Sequence, residues 1–120
     1  DGLDELTTTT TSTVWRVAHG EVAVGTIDPA DHGLPRTEVA ALRGGDAAYN
    51  AGVVRRLVEG EPGPVRDAVV LNAAAALAVY DGGAGALDEL VATGIARAEA
   101  ALDSGSARSL LDRWVAAGAG

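Results

Sequence analysis

From Ala68 to Tyr80 the chain offers water almost nothing: every position is apolar or aromatic except Asn72. The run is too short to span a bilayer, which takes about 20 apolar residues in a helix. It is also too apolar all round for a surface helix, so it is expected to be the central buried helix, running from Val65 to Tyr80. The rest of the chain must then wrap it. Pro62-Gly63-Pro64 breaks the chain before this helix, and Asp81-Gly82-Gly83-Ala84-Gly85 forms a turn after it. Asn72 is the exception that needs a partner. A buried amide left unbonded costs about 1–3 kcal/mol, so Asn72 is expected to tie the helix to a neighbouring loop.

The other helices follow from caps and spacing. Pro35 suits a first helical position, Val39 and Leu42 supply a short apolar face, and Gly44 closes the element. Asp46 is a plausible N-cap for a helix running to Glu59, with Ala47, Ala51, Val54, Leu57 and Val58 at helical spacing. A further helix is expected over about Ala86 to Leu102, with Leu87, Val91, Ala98 and Leu102 on one stripe and Gly94 marking a close helix approach. The last runs from Ser106 to about Ala117, Ser104 capping it and Leu110, Leu111 and Trp114 pointing inward. Gly44-Gly45-Asp46 follows no strand and is too short for a nucleotide fingerprint, so its role is capping.

Ahead of these helices lies a hairpin. His19-Gly20 is a two-residue loop with glycine where a positive φ is needed. Closing the turn there pairs Ala18 with Glu21, Val17 with Val22, Trp15 with Val24 and Thr13 with Thr26. Trp15, Val17, Val22 and Val24 then share one face, which the register predicts to be buried; Val14, Arg16, Ala23 and Gly25 take the other. A two-stranded ribbon is marginal alone, so it must lie on helices of this chain or on strands preceding Asp1. His19 and His32 both fall in turns and are expected to be solvated there.

Composition narrows the function classes. A net charge of −8 excludes phosphate-backbone recognition of nucleic acid, which needs clustered Lys and Arg. The 120 residues contain no Cys, which removes thiolate metal sites and disulfides and fits a reducing cytoplasm. Phe and Met are also absent, leaving a core of Ala, Val and Leu. No signal peptide and no membrane span is readable. The chain opens inside a motif without an initiator Met and is expected to be a fragment.

That motif is Asp1-Gly2-Leu3-Asp4-Glu5-Leu6, followed by a hydroxyl run from Thr7 to Thr13. Acidic oxygens on a short loop suit a hard cation such as Mg2+, which takes one or two carboxylates and keeps several waters. Asp4 and Glu5 are adjacent and diverge in extended or helical chain, so one direct and one water-bridged ligand, or one ligand to each of two ions, fits better than a chelating pair. The hydroxyl run either contacts phosphate oxygens or is a linking loop into the first strand. A solvated acidic loop with no ligand remains open on spacing alone.

The motif, the hairpin after it, Gly44-Gly45-Asp46-Ala47-Ala48-Tyr49-Asn50-Ala51 and Leu71-Asn72-Ala73-Ala74 together resemble the carboxyl-terminal portion of the anthranilate phosphoribosyltransferase family, over essentially the whole chain. The resemblance implies an α/β fold (α+β as an isolated fragment), part of a nucleoside phosphorylase/phosphoribosyltransferase-type catalytic domain. Here that means a β-hairpin over 13–27 followed by about five helices. Residues 1–120 would be the carboxyl-terminal part of that domain, its first part and an amino-terminal helical domain lying upstream. The implied reaction is phosphoribosyl transfer from phosphoribosyl pyrophosphate to anthranilate, a step of tryptophan synthesis, in a cytoplasmic homodimer. Asp4 and Glu5 match the family's Asp-Glu pair that positions Mg2+; Asp1 lies in the same motif. No catalytic residue is expected in this chain, whose own turnover is expected to be nil. Two alternatives stay open: a pyrimidine nucleoside phosphorylase-like enzyme, which shares the architecture, and a non-catalytic interaction module that kept the fold.

Overall fold

The computed structural model describes residues 1–82 and 84–118. An open amino-terminal segment leads into an antiparallel hairpin, β1 (Ser12–Ala18) and β2 (Glu21–Ile27). Two 3-10 turns follow, Pro29–His32 and Val39–Leu42. Then come four helices: α1 (Ala47–Val58), α2 (Pro64–Tyr80), α3 (Leu87–Asp103) and α4 (Ser106–Gly118). Gly83, within the turn expected over Asp81–Gly85, lies outside the described residues.

The core forms where α2 crosses α3. Val70, Leu71 and Ala74 of α2 are buried against Val91, Ile95, Ala98 and Leu102 of α3, with Ile27 and Leu34 closing one end. Small residues set the spacing. A Cβ built on Gly94 would stand 2.5 Å from the carbonyl oxygen of Ala74, so only glycine permits this approach. The expected central helix is thus central, but buried along one face only. Val69, Val79 and Tyr80 are exposed, and an apolar groove of about 520 Å³ opens between α2, α3 and α4 beside Ala73, Leu77 and Ala101.

Register in the hairpin is the one expected: Thr13 opposite Thr26, Trp15 opposite Val24, Val17 opposite Val22. His19 and Gly20 both take positive φ, at 52° and 80°, as a tight two-residue loop requires. The packed face is the other one. Val14 touches the core, Arg16 donates to the Gly85 carbonyl, and Leu87 of α3 lies where a Gly25 side chain would be. The stripe predicted to be buried, Trp15, Val17, Val22 and Val24, is 62–71% exposed.

Three smaller departures are confined to single elements. The helix expected from Pro35 shrinks to the 3-10 turn at Val39–Leu42, because two apolar residues cannot anchor more than one turn. That leaves four α-helices among the described residues where about five were expected. Of the three α4 residues expected to point inward, Leu111 is half-buried, while Leu110 and Trp114 are exposed. His32 is half-buried, its Nε2 shielded from solvent. With these elements spread out, the radius of gyration is 15.4 Å, against about 13.6 Å for a compact domain of this length.

Candidate functional site

The acidic motif forms one wall of an open cleft of about 600 Å³, whose other walls come from Thr11, Ser12, Thr13 and Trp15 at the start of β1 and from Asn72 on α2. Asp1, Asp4 and Glu5 all line it and all are exposed. Their roles separate at the level of hydrogen bonds. Asp1 folds the motif on itself: Oδ1 accepts from the Leu3 N–H at 3.0 Å and Oδ2 accepts from the Thr9 hydroxyl. Both its oxygens already hold protein donors. Asp4 and Glu5 line the cleft and take part in no side-chain hydrogen bond or ion pair among the described residues.

Below the carboxylates the chain is fixed by Asn72. Its Oδ1 accepts from the Leu6 N–H at 3.0 Å, while Nδ2 donates to the Leu6 carbonyl at 2.8 Å and to the Ala68 carbonyl at 2.9 Å. The amide tie expected from sequence is therefore present, and its loop partner is the residue directly after Glu5. The orientation of the amide is unambiguous, since only Oδ1 can face a backbone N–H.

The threonine run is more than a linker. Thr7 and Thr8 are buried; the Thr7 hydroxyl donates to the Thr9 hydroxyl and accepts from the Thr9 N–H, each at 3.0 Å. The Thr8 carbonyl accepts from the Thr37 N–H at 3.1 Å, which tethers the connector after the hairpin. Sequence reasoning missed this bracing and the Asp1–Thr9 contact. The signal was there: hydroxyls two residues apart can satisfy buried backbone groups locally, as in turns of this type.

A cation at this site would have to be held sparingly. Among the described residues no three His, Cys, Asp or Glu side chains converge as a closed metal cage. Asp4 and Glu5 still fit Mg2+, which binds through one or two carboxylates plus waters and substrate phosphates rather than an all-protein shell. Hard oxygen donors at the rim of a cleft meet that description. His19, at the hairpin tip, and His32, in the Pro29–His32 turn, stand outside this cleft.

Comparison with known proteins agrees with this architecture. Residues 1–108 match the family described as "Glycosyl transferase family, a/b domain". The chain is 64% identical over 117 residues to the anthranilate phosphoribosyltransferase of Nocardioides sp., covering 98% of this chain and 34% of that protein. It is 60% identical over 117 residues to that of Streptomyces avermitilis, covering 98% and 33%. Among solved structures it resembles the Thermus thermophilus anthranilate phosphoribosyltransferase, with a TM-score of 0.79 and 38% identity over 97% of this chain and 33% of the other. The yeast enzyme, solved in complex with PRPP and Mg, shares the fold at a TM-score of 0.78 and 23% identity, over 92% and 31% of the two chains. The chain thus spans about a third of the length of the curated relatives it matches. With nine-tenths of its length matched by the family, the chain belongs to the glycosyl transferase family and forms part of its a/b domain.

Proposed function

We propose that this chain is the carboxyl-terminal part of the catalytic domain of an anthranilate phosphoribosyltransferase, in which Asp4 and Glu5 hold Mg2+ for the diphosphate of phosphoribosyl pyrophosphate. The observation that carries the reading is the 64% identity over 117 residues to an enzyme of that name. The geometry adds support: two uncommitted carboxylates stand at a cleft on a backbone locked from below.

In this reaction the anthranilate nitrogen attacks the anomeric carbon, the bond from that carbon to the diphosphate oxygen breaks, and the amine loses a proton. Carboxylates cannot bind diphosphate directly, because like charges repel; they hold the counter-ion. Bound there, Mg2+ would supply Lewis-acid neutralisation of the departing diphosphate, worth several kcal/mol of transition-state stabilisation. Anthranilate brings its own amine, so no nucleophile is required of this chain. The residues that bind anthranilate, the helical domain and a dimer interface are expected upstream, and with them a homodimeric, cytoplasmic enzyme. All of these rest on the resemblance.

The test is Mg2+-dependent binding of phosphoribosyl pyrophosphate by a full-length protein carrying this segment. Asp4→Asn and Glu5→Gln should each weaken the Mg2+ dependence. If both variants keep the unsubstituted dependence, the assignment is wrong. Phosphorolysis of a pyrimidine nucleoside, with no transfer to anthranilate, would move the protein to the other branch of the fold.

A further inference from the structure

We propose that Asn72 is a positioning residue for the metal-holding pair, acting through the backbone of Leu6; the inference rests on the metal role given above to Asp4 and Glu5. The Leu6 N–H belongs to the peptide plane that begins at Glu5, and the Leu6 carbonyl belongs to the next plane. Asn72 bonds to both, at 3.0 Å and 2.8 Å, and so fixes two successive planes rather than one atom. A single hydrogen bond would leave each plane free to rotate; the two-point grip does not.

Asn72 is itself held. Its second N–H proton goes to Ala68 one turn back on α2, and Leu71 beside it is fully buried at the α2–α3 contact. The grip therefore transmits the rigidity of the core to a motif that is otherwise exposed from Asp1 to Glu5. Asp1 and Thr9 brace the motif locally, but both belong to the same segment and cannot place it against the rest of the fold. Among the described residues, Asn72 is the side chain from a distant element that hydrogen-bonds this segment, across 66 positions of sequence. Partners that orient ligands without touching the metal commonly govern affinity about 10–100-fold.

A purely structural tie would predict lost stability and unaltered metal binding, so the test reads both. In a full-length protein carrying this segment, Mn2+ serves as the probe in place of Mg2+, and its affinity is measured by electron paramagnetic resonance with phosphoribosyl pyrophosphate present. Asn72→Leu, matched in size, is compared with Asp4→Asn, Glu5→Gln and the combinations, at a temperature where each remains folded. Weakening of about 10-fold or more in Asn72→Leu, with little further loss when it is added to the carboxylate variants, supports the proposal. Unaltered Mn2+ affinity in Asn72→Leu overturns it while leaving the carboxylate assignment intact. Unaltered affinity in the carboxylate variants overturns both. If Asn72→Leu does not fold, amide hydrogen exchange at Leu6 in the unsubstituted protein decides. Slower exchange on adding Mn2+ and phosphoribosyl pyrophosphate supports the coupling, and unchanged exchange overturns it.

Discussion

Gly94 of α3 sits directly on the backbone of Ala74 in α2, so close that an added Cβ would meet the Ala74 Cα at 2.7 Å and its carbonyl oxygen at 2.5 Å. Both clashes are with main chain, which cannot turn aside as a flexible side chain can. Gly94→Ala should force the two helices apart and cost about 1–3 kcal/mol, the usual range for overpacking. Chemical denaturation compared with the unsubstituted protein checks this, and a neutral or stabilising Gly94→Ala would show that the helices are spaced by something else.

Asp46 caps α1 by accepting from the Tyr49 N–H at 2.8 Å. Asp46→Ala should lower stability by about 1 kcal/mol, the typical value of such a cap, and Asp46→Ser should recover most of it. Thermal melts of the three proteins are enough to decide.

The two faces of the hairpin should respond differently to the same change. Val17 is 71% exposed, whereas Val14 on the opposite face packs against the core. In the 120-residue polypeptide Val17→Thr should fall within about 0.5 kcal/mol of neutral. Val14→Thr, which places a hydroxyl at the packed face, should cost about 1–3 kcal/mol. Equal costs would mean that the exposed stripe is covered in solution.

Burial raises the Asp67 carboxyl above its usual 3.8, with Arg66 beside it pulling the other way. The folded state therefore holds the proton more readily than the unfolded chain. Asp67 works against stability above its folded pKa, and that penalty disappears as the pH falls below 3.8. Asp67→Asn should raise the melting temperature at neutral pH, with the gain shrinking on acidification. Melts recorded across that range would contradict this if the gain instead grew at low pH.

How much of this was legible varies by element. The hairpin register could be read because a two-residue loop at His19-Gly20 leaves one pairing, and the structure has it. Which face would pack could not be read from alternation, since period two marks two faces without ranking them. The overlooked clue was Gly25, a strand glycine where a neighbour comes close: a Cβ there would stand 2.8 Å from Leu87. Asn72 was legible because an amide inside an apolar helix must find partners, although nothing local said that its partner would be Leu6. Hydroxyls two residues apart hinted at local bracing in the threonine run, but that Thr7 and Thr8 are the buried ones depends on the fold around them. The same applies to the division of labour between Asp1 and its two acidic neighbours, which depends on where Thr9 turns its hydroxyl.

The Asn72–Leu6 link also orders events in time. A ribosome delivers the acidic motif well before α2, so at emergence Leu6 has nothing to grip, and a contact across 66 positions carries a loop-closure entropy that the local contacts of a helix or a hairpin do not. Within this stretch of chain the acidic motif is thus made before the helices yet is fixed against them after they form. α2 and α3 would pack before Asp4 and Glu5 are set in place above them.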